Sequence, residues 1–245
     1  MNSTKNSTTF SDVKTPPRTL VESTYRQVRC DIIEGRLVPG EKLRVEHLKD
    51  QYRIGSGTLR EALTMLLSDA LVTSEGQRGF YVASISLKDI KDITDTRVLL
   101  ETEALRHAMK TGDDEWEANL IAAFHKLGKI DEKLGNRANH LIREWEDRNR
   151  HFHEALISAC DSNWLHSLIS MLYRHSERYR YLTISSQTVF RDVHAEHTLI
   201  FEAALSRDTK RASRALEQHI RLTFESIKAS PELIAKIATY PLEPT

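Results

Sequence analysis

The sequence predicts a mostly α-helical protein with one small β-containing part near its N-terminal end. From residue 87 to residue 230, proline and glycine are rare, and apolar residues recur at the 3.6-residue period of amphipathic helices. From residue 19 to residue 84, shorter helical patterns alternate with glycine-containing turns and end in a hairpin signal. This change of pattern predicts two domains that meet at about residues 84–87.

The composition is ordinary for a globular protein and excludes several classes of protein. Of the 245 residues, 40% are hydrophobic and 29% are charged, and the formal net charge of zero excludes a polycation that coats nucleic acid. The chain has no apolar run of the ~20 residues that cross a bilayer, and no secretory signal. Without that signal, Cys30 and Cys160 are expected to be reduced core thiols. We therefore expect a cytoplasmic protein with no membrane partner.

A polar arm precedes the first domain. Residues 1–18 are rich in Ser, Thr and Asn, a composition typical of a disordered segment. Helical and β-prone patterns follow, separated by a turn at Pro39-Gly40 and by the small residues 55–57. The helices are predicted at 19–34, about 44–52 and 58–68, and the strands at 71–74 and 80–83. Three helices and a β-hairpin in this order predict a winged helix-turn-helix over residues 19–84, which is a DNA-binding fold.

The third predicted helix is the candidate recognition helix, because one of its faces is apolar and the other is polar. Arg60 lies on the polar face near the helix N-terminus, where a guanidinium can contact guanine in the major groove. In the alternative interpretation Arg60 pairs with Glu61 or Asp69, but the order of helices and hairpin favours DNA. The hairpin loop is placed to reach phosphates or the minor groove. The predicted DNA-contacting residues are Arg44, Ser56, Thr58, Arg60, Arg78 and Gly79.

This segment resembles the winged helix-turn-helix of the GntR family of bacterial transcription regulators. The resemblance lies in PGEKLRVEHLKDQYRIGSGTLREALTMLLSDALV and the later GFYV, where the family's recognition segment reads roughly S-R-T-P-V-R-E-A-L. Arg60-Glu61-Ala62-Leu63 matches that segment, whereas Ser56 stands where the family often has an arginine. The resemblance implies operator binding, with one base or phosphate contact of the family absent.

The second domain is predicted to be an all-α bundle of six helices. It is assigned to residues 85–230, and residues 231–245 are assigned to a C-terminal tail. The helices are predicted near 87–110, 114–134, 138–160, 162–183, 188–206 and 208–229.

Three of these helices each carry one histidine within an apolar stripe. They are His153, which Asn149 precedes by one turn, and His197 and His219 on the fifth and sixth helices. His151 points away from this face, because neighbours two residues apart diverge by about 200° around a helix. In the alternative interpretation each is a separate core histidine bonded to a neighbour. Three such stripes in one bundle favour a shared centre for a divalent transition metal, with Zn or Ni as candidates.

Two further side chains are candidates beside this centre. His194 lies one turn before His197 and is the alternative ligand. Arg97 interrupts the apolar stripe of the first bundle helix, and a buried arginine needs an anion. That anion is either Glu101, one turn further along the helix, or the carboxylate of a small ligand held in guanidinium forks.

The second domain also resembles the effector domain of the FadR subfamily, the all-helical FCD domain. The similar segments are ITDTRVLLETEALRHA, NRHFHEALISACDSNWL, HAEHTLIFEAALSRD and RASRALEQHI. The resemblance implies that His153, His197 and His219 match the three metal-binding histidines of that domain. Asn149 stands where the family has an aspartate, and an amide oxygen can coordinate a metal but brings no charge. A metal-free pocket in which the histidines bind the effector directly is the alternative.

Together these patterns predict a bacterial transcription regulator, in particular a repressor that is not an enzyme. Residues 19–84 are expected to bind double-stranded operator DNA as half of a symmetric homodimer. The bundle is expected to hold a mono- or dicarboxylate effector through Arg97 and Asn149, beside the metal. One alternative is a DNA-binding protein whose bundle only dimerises. The other is a three-histidine metalloenzyme, which lacks a His-Glu-x-x-His pair and an evident general base.

Overall fold

The computed structural model describes residues 17, 19–74, 78–133, 139–186, 189 and 191–240. Apart from residue 17, the predicted disordered arm at 1–18 lies outside the described residues. The described part contains ten helices and three short strands. The predicted fold class, mostly α with a small β-containing part at the N-terminal end, is therefore confirmed.

Three helices and a small sheet form the N-terminal part. Its elements are α1 (Leu20–Ile33), β1 (Lys42–Leu43), α2 (Val45–Tyr52), α3 (Ser56–Ser68), β2 (Val72–Ser74) and β3 (Phe80–Val82). Helix α1 begins after Thr19, whose hydroxyl accepts a hydrogen bond from the N–H of Glu22. Helix α2 ends at Arg53, whose left-handed backbone (φ 55°) turns the chain towards α3. This turn produces the helix-turn-helix.

An apolar core joins the three helices to the sheet. Val28 of α1 and Leu59 and Leu63 of α3 are each 0% exposed, and they share one cluster with Val82 of β3. The buried stripe of α3 thereby directs the opposite face of this helix, which includes Arg60, to solvent.

The wing has one strand more than the predicted hairpin. Strand β3 is central, with β1 and β2 antiparallel on either side of it. A turn brings β1 to β3: the N–H of Glu41 donates to the carbonyl of Val38 at 3.0 Å, and Gly40 between them has a φ of 79°. The segment around β1 was predicted only as a turn, because a strand of two residues is too short to show alternation.

In the described residues after the wing there are seven helices. They are α4 (Leu87–Thr111), α5 (Asp114–Asp131), α6 (Asn139–Ile157), α7 (Asn163–Ser185), α8 (Val193–Leu205), α9 (Thr209–Ala229) and α10 (Pro231–Ala238). The first six match the predicted bundle. Helix α10 lies in the segment predicted only as a tail, and it forms because Leu233 and Ile237 pack against the ends of other helices. Within the described ranges, no helix combines the length and apolar character needed to cross a membrane.

Helix α7 connects the bundle with the N-terminal part. Arg178 donates from Nη1 to the carbonyl of Ala83 at 2.6 Å, just after the wing. The hydroxyl of Tyr179 donates to a carboxylate oxygen of Asp89 at 2.7 Å and thus holds the start of α4. Tyr181, also on α7, packs against the apolar core of the N-terminal part. Helix α7 therefore contacts the segment just after the wing, the start of α4 and the apolar core of the N-terminal part.

Candidate functional site

The six predicted DNA-contacting residues lie around α2, α3 and the wing. Arg44 is exposed at the N-cap of α2, and Arg60 is exposed on α3. Ser56 and Thr58 are half-buried in the first turn of α3, which contains no acidic residue and no side-chain cap. The N-terminus of α3 therefore presents backbone N–H groups and positive potential to solvent, as phosphate binding requires.

The wing places the other two predicted residues beside β3. Arg78 is exposed, and Gly79 has a φ of 101°, a conformation that side-chain-bearing residues rarely adopt. The sequence interpretation missed Arg53, which is exposed in the turn between α2 and α3. A basic residue within the helix-turn-helix turn was the available signal for it.

The three predicted histidines meet at the centre of the bundle. His153 of α6, His197 of α8 and His219 of α9 offer ring nitrogens that all lie within 4.8 Å of one another. Their ring centroids are 4.6 to 5.8 Å apart, and their exposed fractions are 5%, 0% and 8%. We call these three residues the histidine centre.

Some atoms in and beside this centre that could bind a metal lack hydrogen-bond partners. Within the described part of the chain, both ring nitrogens of His197 and the Oδ1 atom of Asn149 are buried without a hydrogen-bond partner. Buried polar atoms are almost always paired, because a lost hydrogen bond costs about 1–3 kcal/mol in such a place. Nitrogen and amide oxygen atoms left in this way fit a bound cation.

A carboxylate orients one of the histidines, and a second carboxylate lies near another. The Nδ1 atom of His219 lies 2.8 Å from a carboxylate oxygen of Glu196, and the Nδ1 atom of His153 lies 3.7 Å from one of Glu101. A hydrogen bond from Nδ1–H to Glu196 fixes the tautomer of His219 and leaves its Nε2 lone pair available, an arrangement common around metal-binding histidines.

Burial keeps the three imidazoles neutral. The pKa values of His153, His197 and His219 all lie well below the ordinary 6.5, chiefly because burial penalises the charged ring. The neighbouring His219 lowers the pKa of the other two, and Arg191 lowers that of His219. At neutral pH the rings are therefore in the form that can donate a lone pair to a metal.

Asn149 is held by one hydrogen bond. Its Nδ2 donates to the hydroxyl of Tyr173 at 2.6 Å, and Asn149 is 1% exposed. Burial raises the pKa of Tyr173 well above its usual range, so the hydroxyl keeps its proton. Asn149 can thus offer its carbonyl oxygen while its amide nitrogen stays bonded.

Arg97 has the partner that the alternative interpretation expected. Its Nε donates to Glu101 at 2.6 Å and its Nη1 to the hydroxyl of Ser176 at 3.1 Å, and it is 4% exposed. Ser176 also accepts a hydrogen bond from Arg180 of α7. Arg97 is therefore separated from Arg180 by one hydroxyl group.

A cavity of about 260 Å³ adjoins the histidine centre. Asn149 and His219 line it, together with two arginines that the sequence interpretation missed, Arg180 and Arg191. Arg180 forms two hydrogen bonds with Glu146, and Arg191 forms two with Glu196. Neither arginine is recognisable from helical spacing, because Glu146 lies 34 residues from Arg180 and Arg191 precedes α8.

The other two candidate histidines lie outside the centre. His151 is exposed, and its Nδ1 faces the carbonyl of Asp147. His194 is also exposed, and its Nδ1 lies 2.9 Å from a carboxylate oxygen of Asp131 at the cavity. The structure thus brings His197, and not His194, together with His153 and His219.

This combination of a winged helix-turn-helix and a helical domain with a buried histidine centre matches two families. The family model of bacterial regulatory proteins of the gntR family matches residues 20–82, and that of the FCD domain matches residues 92–222. The chain therefore belongs to the GntR family of transcription regulators and carries an FCD domain. Regulators of this family are not enzymes, so the metalloenzyme alternative is wrong.

Relatives resemble the chain over most of its length. It is 43% identical over 223 residues to the HTH-type transcriptional regulator BphR of Paraburkholderia xenovorans, covering 89% of this chain and 91% of the relative. It is 37% identical over 200 residues to the HTH-type transcriptional repressor GlaR of Escherichia coli, covering 80% and 90%.

Solved structures share the fold. A GntR transcriptional regulator from Rhodococcus sp. RHA1 superposes with a TM-score of 0.67 at 20% identity, covering 86% of this chain and 98% of that one. McbR/YncC of E. coli gives a TM-score of 0.68 at 19% identity, covering 86% and 97%.

Proposed function

We propose that this chain is an operator-binding repressor whose DNA affinity is controlled by a small organic acid, bound beside a divalent metal in the bundle. The observation that carries the proposal is the histidine centre, with its unsatisfied nitrogens, next to a cavity of about 260 Å³. The name of GlaR, a repressor, supports the direction of the regulation. Operator binding is assigned to a homodimer, because paired recognition helices read half-sites one DNA turn apart.

The ligands of the proposed metal are His153, His197, His219 and Asn149. Three neutral imidazoles and an amide oxygen suit Zn, Ni or a similar ion. When bound, the metal supplies a positive charge that attracts an anionic ligand.

Charge balance favours an acid as the effector. Two buried arginines, Arg97 and Arg180, and the half-buried Arg191 lie around the centre. They are already neutralised, Arg97 by Glu101, Arg180 by Glu146 and Arg191 by Glu196. The four proposed ligands carry no charge, so both positive charges of a divalent ion remain uncompensated. A mono- or dicarboxylate in the cavity offsets them and can share the guanidinium donors of Arg180 and Arg191. We therefore assign carboxylate binding to these two arginines, in place of the predicted Arg97.

Elemental analysis of the purified protein tests the metal. We expect about one divalent transition ion per chain, and loss of that ion in His153→Ala. His151→Ala is the matched control and should retain the ion, because its side chain is exposed on the same helix. His107, Cys160 and Asp161 also place donor atoms within 4.8 Å of one another, so His107→Ala is the control for that second group. Equal metal loss in His151→Ala and His153→Ala would contradict the assigned centre.

A thermal-shift screen of small mono- and dicarboxylates, with and without the metal, tests the effector. We expect at least one acid to raise the melting temperature in a metal-dependent way. Stabilisation without the metal would instead support direct binding by the histidines. No stabilisation by any acid would favour a bundle that only dimerises, and light scattering on the same samples measures the dimer.

A further inference from the structure

Two partly buried ion pairs lie one behind the other between the effector cavity and the DNA-binding part. In the first, Arg180 of α7 donates from Nε to Glu146 of α6 at 3.1 Å and also from Nη2. In the second, Arg29 of α1 donates from Nη1 to Glu177 of α7 at 3.2 Å and also from Nη2. The second pair joins α1 of the winged helix-turn-helix to the bundle.

The two pairs share their surroundings. Arg29, Glu146 and Glu177 together line two cavities between α1 and the bundle, of about 100 and 110 Å³. Arg180, at the other end, lines the effector cavity of about 260 Å³. The carboxylates of Glu146 and Glu177 therefore face the cavities beside α1, whereas Arg180, the partner of Glu146, faces the effector cavity.

We infer that Arg180 is an effector-binding residue that transmits binding to the DNA-binding part, through Glu146 and then the Arg29–Glu177 pair. The inference rests on the proposed function in one respect, namely that the effector is an anion in the cavity that Arg180 lines. A carboxylate that takes up the donors of Arg180 leaves Glu146 without its cation. The Glu146 carboxylate then competes with Glu177 for Arg29 and loosens the contact between α1 and α7.

The electrostatics of the two acids agree with this direction. Burial raises the pKa of the Glu146 carboxyl even beside Arg180, so this carboxylate is weakly compensated. Burial would also raise the pKa of Glu177, but the charge of Arg29 lowers it below its usual value. The charge of Glu177 also raises the pKa of Glu146, which places the two carboxylates within electrostatic reach of each other. A buried charge that loses its partner is costly and is expected to find another cation nearby.

A ligand-free double-mutant cycle tests the connection, with hydrogen exchange of the α1 amides as the readout and α5 as the internal reference. Arg180→Gln removes the cation of Glu146, and we expect exchange in α1 to become about tenfold faster. The double variant with Glu146→Gln removes both charges and should return to within about twofold of wild type. Glu154→Gln is the control, because Glu154 borders the same cavity and the charges that act on its carboxyl are those of Arg150, His151, Asp147 and His166, not those of Arg29 or Glu177.

The cycle has two outcomes that would overturn the inference. One is exchange in Arg180→Gln no faster than in Glu154→Gln, and the other is a double variant as fast as Arg180→Gln alone. If Arg180→Gln does not fold, Glu146→Gln carries the test. In this variant the carboxylate with the largest thermal shift finds no Glu146 charge to release, so it should leave exchange in α1 unchanged. An acceleration as large as in wild type would also overturn the inference.

A second experiment, with an added carboxylate, distinguishes failure of this inference from failure of the proposed function. The carboxylate with the largest thermal shift is titrated by calorimetry and then added to the exchange experiment. It should speed exchange of α1 in wild type and leave Glu146→Gln unchanged. Binding without an effect on α1 would refute the connection and keep the effector site. A protein that binds no carboxylate but shows the expected cycle would refute the effector and keep the connection.

Discussion

The N-terminal part and the bundle are both helical, but they place polar side chains in opposite ways. In the N-terminal part the central cluster is apolar, with Val28, Leu59 and Leu63 fully buried, and the candidate DNA contacts such as Arg60 lie at the surface. In the bundle, histidines, arginines and carboxylates lie buried around one point, where His197 is 0% exposed.

In the N-terminal part, different residues therefore provide stability and DNA binding. In the bundle, the same buried residues affect both stability and ligand binding. A surface arginine can be removed from the winged helix-turn-helix without disturbing its core. A buried group in the bundle contributes to ligand binding and, where it lacks a partner, lowers the stability of the ligand-free protein. A substitution in the N-terminal part should therefore change either stability or DNA binding. A substitution of an unpartnered buried group in the bundle should weaken ligand binding and raise the stability of the ligand-free protein.

The largest effect is expected from the apolar core of the N-terminal part. Leu63→Ala should destabilise this part by about 2–5 kcal/mol, because Leu63 is 0% exposed and its removal leaves a cavity. Hydrogen exchange of α3 amides measures the loss. Leu67→Ala on the same helix is the control, since Leu67 is 38% exposed and should cost much less. Similar losses in both variants would show that α3 does not use the buried face described here.

The opposite sign is expected at the histidine centre. His197→Leu should raise the free energy of unfolding of the metal-free protein by about 1–3 kcal/mol, because it removes two buried nitrogens that lack partners. The same variant should bind the metal at least about 100-fold more weakly, because it loses a proposed ligand. Denaturation after chelator treatment and metal titration measure the two effects. A metal-free variant less stable than wild type would show that His197 contributes favourable interactions without a ligand.

A smaller and purely functional effect is expected at the DNA surface. Arg60→Ala should weaken binding to a duplex selected by the wild-type protein about tenfold to hundredfold, and change the free energy of unfolding by less than about 0.5 kcal/mol. Arg60→Lys keeps the charge but loses the bidentate geometry, so sequence preference should fall more than affinity for random duplexes. Wild-type affinity and preference in Arg60→Ala at matched salt would contradict the groove assignment.

The sequence predicts those site residues whose positions follow from helical periodicity. His153, His197 and His219 were found because each interrupts an apolar stripe, and the pair of Arg97 with Glu101 because its members are one turn apart. Arg180 was not predictable, because its partner Glu146 comes from a different helix.

The missed elements have a similar cause. Strand β1 has two residues and exists only because β3 pairs with it. Helix α10 has eight residues and depends on packing in the cluster that contains Leu233 and Ile237. A local sequence pattern does not reveal which residues, distant in the sequence, will pair or pack with a segment in the folded protein.

The smallest effect, and the sharpest test of the bundle, is expected at Asn149. Asn149→Asp adds a carboxylate to the proposed ligand set, so the metal should be retained roughly tenfold more tightly. The fold should tolerate the change, because the hydroxyl of Tyr173, which now accepts a hydrogen bond from Asn149, can donate to the new carboxylate. Chelator titration measures metal retention.

The same substitution should act on the effector in the opposite direction. The new negative charge partly neutralises the metal and repels an anion in the cavity, so carboxylate affinity should fall while metal affinity rises. Calorimetry on metal-loaded wild type and variant compares the two affinities, with Asn119→Asp on the exposed part of α5 as a charge-matched control. Unchanged metal affinity would place Asn149 outside the ligand set. A tighter effector with unchanged metal would mean that the effector is neutral or cationic, because only an anion is repelled by the added carboxylate.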